Sequence, residues 1–354
     1  MAVSELWAVG MLLAAFAGGA FGASVGALPS FSLAGLVVIV GELYVLAART
    51  LGTDTVPVDV TGSIGFGVVL GPHIAFGGGA AALAYAAKRG YLDVDSEYHP
   101  AKEVTRGLGS RPDVLAVGGL FGVVGYWIAT ASSTLSLPVD PVALGVVGSA
   151  LLHRLALGYS LVGAGPRRWF DMSPYERGDR MGAEGESTTV VDGGYPTVQP
   201  WLPYQYRWGN VLTLGFVVGV LGAYVAYLTA SPFLAFGISV VALVFLNANV
   251  AEIPVTHHIS LPASTAVLAL VDAPASDLTP TLVTGAVPLE VALVVGAAFG
   301  VVGALFGEVL QRVLYAHAET HLDPPAASIV VTSFLIGVLA ILGILPSPVW
   351  IPTP

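Results

Sequence analysis

The chain has 354 residues, of which 55% are hydrophobic and only 10% are charged, and its net charge is −10. Soluble domains carry about 25% charged residues, so this composition excludes an ordinary soluble protein and predicts an all-α, polytopic transmembrane helical bundle. The absence of cysteine excludes disulfides, thiolate metal sites and cysteine nucleophiles.

Hydropathy predicts about ten membrane spans, each close to the roughly 20 residues that cross a hydrocarbon layer as a helix. The first span ends in small residues like a signal peptide, but it lacks a basic N-terminal region and is therefore predicted to be retained. The predicted spans are 6–26, 31–48, 60–87, 113–133, 140–160, 210–230, 232–250, 254–271, 289–315 and 325–345.

Two polar stretches, 88–112 and 161–209, hold most of the basic residues and are separated by two predicted spans. Basic residues favour the cytoplasmic side of a membrane. The pattern therefore predicts a multi-pass protein of the cell membrane with both stretches in the cytoplasm and both termini outside. The scarcity of lysine, with only Lys88 and Lys102, together with excess acid is typical of halophilic proteins.

Short internal similarities divide the chain into two halves. The Gly-rich segment 118–125 matches 296–303, and Asp140-Pro141 and Asp323-Pro324 each precede the next apolar run. Val56-Pro57-Val58 likewise resembles Ile253-Pro254-Val255. Five spans in each half would force the second half to enter the membrane from the opposite side, which predicts an inverted repeat. The expected division is 1–160 for the first repeat, 161–209 for a polar and aromatic linker, and 210–354 for the second repeat.

Two apolar segments, 60–80 and 252–266, are rich in residues that weaken helices. The first contains Pro72 among many glycines, and the second contains Pro254 and Pro262. Interrupted segments at matching places in two halves indicate a transporter's binding site. Close packing of small residues between helices is the alternative explanation.

Polar residues within or beside the spans converge on these two segments. Glu42 is a candidate for carrying a coupling proton or for an internal hydrogen bond, and His73 for a proton relay or a bond to a backbone carbonyl. The predicted substrate-binding residues are Glu42, Gly62, Ser63, Gly65, Gly67, Pro72, His73, Asn247, Asn249, Glu252, Thr256, His257, His258 and Ser260.

Other ionisable residues carry weaker signals. Adjacent His257 and His258 point about 100° apart on a helix and do not chelate one metal together, whereas His317 and His321 would share a helix face and could bind zinc. Glu308 and Arg312 have the spacing of an ion pair on one helix. His153 and Arg154 are expected at the membrane interface, with a structural role favoured. No phosphate loop or dinucleotide motif is present, so no nucleotide cofactor is predicted. No metal and no nucleic-acid partner is predicted either, and histidines at a span end, such as His317 and His321, commonly serve as caps.

The sequence favours a secondary transporter or channel, not an enzyme, that moves a small polar or anionic solute or an ion across the lipid bilayer. A structural membrane scaffold, which forms a homo-oligomer without transport, is the first alternative. A membrane-embedded enzyme that uses His317 and His321 is the second. A polar cavity between the halves would distinguish transport from scaffolding.

Overall fold

The computed structural model describes residues 3–52, 58–92, 98–163, 168–181, 187–188 and 195–354. These residues are all-helical in class, apart from one antiparallel pair of two-residue strands, β1 (Arg180–Met181) and β2 (Ser187–Thr188). Val56 and Pro57, which contribute to one of the internal matches, lie outside the described residues.

The helices follow the predicted order in both halves. In the first half they are α1 (Val9–Val25), α2 (Ala27–Thr50), α3 (Ala75–Lys88), α4 (Pro112–Thr134) and α5 (Pro141–Leu157). The connecting stretch contains one short helix, α6 (Ser173–Arg177). In the second half they are α7 (Trp208–Thr229), α8 (Leu234–Val241), α9 (Leu243–Asn247), α10 (His257–Leu268), α11 (Pro280–Ala286), α12 (Leu289–Gln311) and α13 (Pro324–Ile341). The sequence analysis missed α11.

Within the described ranges, five helices are long and apolar enough to cross a membrane: α2, α4, α7, α12 with its extension to Ala316, and α13. Three shorter apolar helical stretches, Val9–Val25, Pro141–Leu157 and Leu234–Asn247, accompany them. Helices α3 and α10 have 14 and 12 residues and are buried along nearly their whole length. The helical parts of the two segments rich in glycine or proline therefore lie inside the bundle.

The segment 60–80 is interrupted. Residues Thr61–Gly65 form a single π-helical turn, 66–74 run through irregular turns, and α3 begins only at Ala75. In the second half, the irregular backbone covers 248–256 and ends where α10 begins. The prediction that Pro262 helps to interrupt this segment was wrong, because Pro262 lies inside the continuous helix α10. The carbonyl that loses its helical partner there belongs to His258, and Gly303 packs directly against it.

The two halves have the same internal packing. Helix α1 packs against α3 and α4, and α4 packs against α5; in the second half, α7 packs against α10 and α12, and α12 packs against α13. Glycines permit the closest crossings. A Cβ atom at Gly19 would collide with the carbonyl of Gly118, and one at Gly219 would collide with the carbonyl of Gly296.

Antiparallel helix pairs join the halves. Glu42, late in α2, accepts a hydrogen bond from Ser231 just before α8 (2.6 Å), and Asn247, at the end of α9, donates to Ser32 early in α2 (3.0 Å). These contacts place the end of each helix beside the start of the other. Helices α5 and α13 are also antiparallel, because the amide of Asp140 donates to Ser333 Oγ at 2.8 Å while Arg154 bonds to Thr320.

The described parts of the two polar stretches meet at one end of the bundle. The backbone amide of His99 donates to Gln199 Oε1 at 3.2 Å. The backbone amide of Gln199 donates to the carbonyl of Ala316 at 3.0 Å. Tyr204 and Gln205 bond to the carbonyls of Ile253 and Val255, respectively. These bonds connect the polar stretches to the irregular backbone before α10 and after α12.

Candidate functional site

A cavity of about 130 Å³ lies between the halves, beside both antiparallel helix pairs. Its wall is mostly apolar, with carboxylates and one imidazole as the ionisable groups. The residues that line it are Phe31, Phe66, Pro72, Phe76, Asp140, Pro141, Val142, Ala143, Val146, Phe233, Phe236, His257, Leu261, Asp323, Ala326, Ile329 and Trp350.

Many lining residues occur in pairs, with one member from each half. The spacing along the chain from Asp140 to Ala143 and Val146 is repeated from Asp323 to Ala326 and Ile329, and all six residues line the cavity. Pro72 and Phe76 likewise have the same spacing as His257 and Leu261. Residues with matching spacing along the chain, from both halves, therefore line the same space.

The two aspartates occupy the N-terminal caps of α5 and α13. Asp140 Oδ1 accepts hydrogen bonds from the amides of Val142 (2.8 Å) and Ala143 (3.2 Å), and Asp323 Oδ2 accepts one from the amide of Ala326 (2.9 Å). A proline follows each aspartate, as is common at the first position of a helix. Local capping thus explains why both carboxylates are held beside the cavity.

A larger, polar vestibule of about 380 Å³ adjoins the cavity at the end of the bundle that carries the polar stretches. Phe31, His257 and Asp323 line both spaces and therefore form their boundary. Further residues that line the vestibule include Tyr98, Lys102, Glu103, Tyr204, Asn249, Glu252, Tyr315 and His321.

Lys102 is the basic residue of the vestibule wall and is buried. Its Nζ lies 4.4 Å from the centre of the Tyr315 ring and 3.5 Å from the carbonyl of Ala316. Burial lowers the pKa of Lys102 well below its ordinary value, and the nearby charge of Arg154 lowers it further. The vestibule consequently contains an amine whose charge is costly to maintain.

At the opposite end, aromatic residues close the cavity. Trp350, from the C-terminal segment, packs its ring 5.3 Å from that of Phe233 and donates from Nε1 to Thr265 Oγ1 at 2.9 Å. Phe233 in turn packs against Phe66 at 5.2 Å. The cavity adjoins the vestibule at one end and is covered by these rings at the other.

Four of the residues predicted to bind substrate line these spaces. Pro72 and His257 line the cavity, and His257, Asn249 and Glu252 line the vestibule. His257 is 3% exposed, and its Nδ1 has no hydrogen-bond partner among the described residues. Asn249 and Glu252 have positive φ angles of 57° and 58°, which mark the sharp turns of the irregular segment before α10.

Two predicted histidines pack against glycines outside the cavity wall. A Cβ atom at Gly125 would collide with the carbonyl of His73, and one at Gly303 would crowd the carbonyl of His258. The His258 ring also lies 6.0 Å from that of Trp201. These equivalent positions fix how closely α4 and α12 approach the interrupted segments.

The remaining predicted residues lie away from the cavity. Gly62 and Ser63 are exposed, Gly65 packs on Val38 of α2, and Gly67 makes a tight turn over the carbonyl of Ser63. Glu42 and Asn247 make the contacts between α2 and α8–α9 that were described above. Thr256 is buried at the start of α10, and the Ser260 hydroxyl lies 3.1 Å from that of Ser239.

The pair His317 and His321 does not share a helix face, because regular helix ends at Ala316 and 317–323 is irregular. No group of three metal-ligating side chains occurs within the described ranges. Arg154, expected at the interface, is instead fully buried and holds this irregular segment through Thr320. Glu308 and Arg312 form the predicted ion pair on one helix.

The sequence analysis assigned no function to Asp140, Asp323 or the aromatic rings around the cavity. The Asp-Pro dipeptides were recognised only as markers of the repeat. Their position before an apolar run in both halves was nevertheless a usable signal for two helix starts at matching places, although it did not show that these caps lie beside a cavity. The aromatic residues gave no such signal, because they are spread over α2, α8 and the segments around them.

The whole chain, residues 1–354, matches the family described as "Family of unknown function (DUF7973)", and the chain belongs to that family. No curated protein and no solved structure is significantly similar to it.

Proposed function

We propose that this protein is a multi-pass membrane transporter or channel whose path for a small polar solute runs through the cavity between its two halves. The observation that carries the proposal is the cavity itself, because corresponding residues of both halves line it and a polar vestibule adjoins it. Ligand sites of transporters lie near mid-membrane between structural repeats.

The surface of the bundle supports a membrane location. Large apolar side chains are exposed along the long helices; on α7, for example, Phe216 and Val217 are more than half exposed. Water would disfavour such a surface, and lipid would not. We place the polar stretches 88–112 and 161–209 in the cytoplasm, the termini outside, and the vestibule at the cytoplasmic end.

The packing of the helices supports an inverted repeat of five segments per half. Under this proposal α1, α2, α3, α4 and α5 correspond to α7, α8–α9, α10, α12 and α13. Equivalent helices make equivalent contacts within each half, and the pairs that join the halves, α2 with α8–α9 and α5 with α13, run antiparallel. A two-fold axis in the membrane plane produces this relationship. Ten segments would then cross or enter the membrane, with α3 and α10 covered by the others.

The topology is tested by labelling single cysteines in intact cells with a reagent that does not cross membranes. Arg168→Cys lies in the second polar stretch, and Thr281→Cys lies in α11 at the opposite end; both positions are exposed. We expect labelling of Thr281→Cys only. Labelling of Arg168→Cys alone would reverse the proposed orientation.

Transport is tested by solute flux into proteoliposomes. Ala326→Phe adds an aromatic ring at the cavity wall, which would occupy part of the cavity. Leu221→Phe adds the same ring on the exposed face of α7. We expect wild type and Leu221→Phe to move a small polar solute and Ala326→Phe to lose at least tenfold in rate. Equal rates for the two folded variants, or no flux for wild type across neutral, cationic and anionic solutes, would leave a structural scaffold as the better explanation.

A further inference from the structure

We propose that the solute is a small cation, which binds first at Asp323 and then at Asp140 in a cavity lined in part by aromatic rings. This inference rests on the transport function proposed above and specifies the charge of the solute.

Each aspartate keeps one carboxylate oxygen outside the helix cap. Both capping bonds of Asp140 go to Oδ1, and Oδ2 accepts no hydrogen bond from the residues that the structure describes. Asp140 is only 9% exposed, so this oxygen can be solvated from the cavity alone. At Asp323 the cap uses Oδ2, while Oδ1 lies 3.5 Å from His321 Nε2. Both residues therefore offer an acceptor to a ligand.

The cavity wall carries two carboxylates, and each of them caps the N-terminus of its own helix, α5 or α13. A helix N-terminus contributes about +0.5 charge, and α3, α8 and α10 also begin at this wall. No lysine or arginine lines the cavity among the described residues, and Lys102 belongs to the vestibule. A cation can therefore pair directly with a carboxylate of the wall, whereas an anion would meet no cationic side chain there and only the partial charges of the helix ends.

The two carboxylates lie far enough apart to act in sequence. The amide of Asp140 donates to Ser333, which is ten residues beyond Asp323 on α13. At about 1.5 Å per residue, the aspartates are roughly 15 Å apart along the helix. Asp323, at the boundary with the vestibule, would receive the cation first, and Asp140 would hold it near the covered end.

Six of the seventeen residues that line the cavity are phenylalanine or tryptophan. Phe31 lies at their centre, with ring centroids 6.0 Å from Phe76 and 6.2 Å from Phe236, and Phe66 lies 5.6 Å from Phe236. Ring faces attract cations within about 6 Å, most strongly in a desolvated site. A cavity of about 130 Å³ keeps any occupant in contact with its rings and limits that occupant to a few heavy atoms.

His257 supplies an independent indication of a ligand. It lies at the junction of cavity and vestibule, is almost fully buried, and has an Nδ1 without a partner within the described chain. An unpaired polar atom in such a place is unfavourable unless a ligand or water satisfies it. A neutral imidazole can accept a hydrogen bond from a cation that carries N–H groups.

The test compares the proteoliposome flux of guanidinium, urea and acetate, which are planar and similar in size but cationic, neutral and anionic. We expect guanidinium to enter at least tenfold faster than urea and acetate, relative to empty liposomes. Asp140→Asn and Asp323→Asn should each reduce guanidinium flux at least tenfold without reducing urea flux. Asparagine also caps helices well, so the fold is expected to persist. Asp272→Asn, at an exposed position, is the matched control.

The outcomes separate the two proposals. If urea or acetate moves as fast as guanidinium, or if both asparagine variants transport guanidinium like wild type, the cation inference is wrong while transport stands. If none of the three solutes enters and the broad solute panel also fails, both proposals are wrong.

Discussion

The Glu42 carboxylate and the Ser231 hydroxyl form a hydrogen bond of 2.6 Å that joins the two halves of the chain. The second oxygen of Glu42 accepts a bond of 2.7 Å from Thr61, at the π-helical turn of the interrupted segment. One carboxylate therefore connects α2, the interrupted segment and the start of α8. This cluster lies at the end of the bundle opposite the vestibule, where the cavity is covered.

Removal of this connection is expected to destabilise the protein. Glu42→Ala leaves the hydroxyls of Thr61 and Ser231 without their acceptor, which should cost about 1–3 kcal/mol of unfolding free energy. A double-mutant cycle with Ser231→Ala should give a coupling energy of about 0.5–3 kcal/mol, because the two residues share a hydrogen bond. Unfolding in detergent, followed by circular dichroism, measures both quantities.

The control for this cycle is Glu290→Ala, which removes an exposed carboxylate and should change stability by less than about 0.5 kcal/mol. Additive effects of Glu42→Ala and Ser231→Ala would show that the hydrogen bond does not hold the halves together.

The glycines beside the two histidine carbonyls provide a second prediction. In Gly125→Ala and Gly303→Ala, the new methyl group meets the backbone carbonyl of His73 or His258, so α4 or α12 must move away. Each substitution should cost about 1–3 kcal/mol, as is typical of overpacking. Thermal unfolding in detergent measures the loss.

Gly285→Ala is the matched control, because Gly285 lies in α11 with open space around it. Alanine in a helix is favoured over glycine by roughly 0.5–1 kcal/mol, so this variant should be slightly more stable. If Gly125→Ala and Gly303→Ala behaved like the control, the close approach of α4 and α12 to the interrupted segments would be refuted.

The sequence predicted the helices well and the cavity poorly, for a physical reason. Hydropathy and capping are local, so α4 and α5 begin and end within a few residues of the predicted positions. The bond between Asp140 and Ser333 arises from packing between distant segments, which no local pattern encodes. The predicted site residues Gly62 and Ser63 lie away from the cavity, because helix-weakening residues indicate where the chain turns but not which side faces the cavity. The sequence also suggested a helix break at Pro262. The helix continues there, and Gly303 on α12 leaves room for the carbonyl of His258, which proline deprives of its helical hydrogen bond.

Lys102 should make stability depend on pH. Burial lowers its pKa well below the ordinary 10.5, so between the two values the unfolded chain binds a proton that the folded protein does not. Stability contributed by this group therefore increases as the pH rises through that window. Lys102→Met should flatten the dependence and stabilise the protein most at the acid end, as measured by unfolding at pH 6 to 9. An unchanged slope in Lys102→Met would mean that the amine is charged in the folded protein.

The last prediction concerns access to the cavity. Because the chain contains no cysteine, Ala326→Cys gives a single thiol in the cavity wall. We expect a small, membrane-impermeant thiol reagent to modify it when added at the vestibule end of reconstituted protein. At the opposite end Trp350 covers the cavity, so modification from that side should be at least tenfold slower. Trp350→Ala should remove this difference, whereas Trp7→Ala, at an exposed tryptophan outside the cavity, should preserve it. Equal access from both ends in the Ala326→Cys protein would show that the C-terminal segment does not close the path.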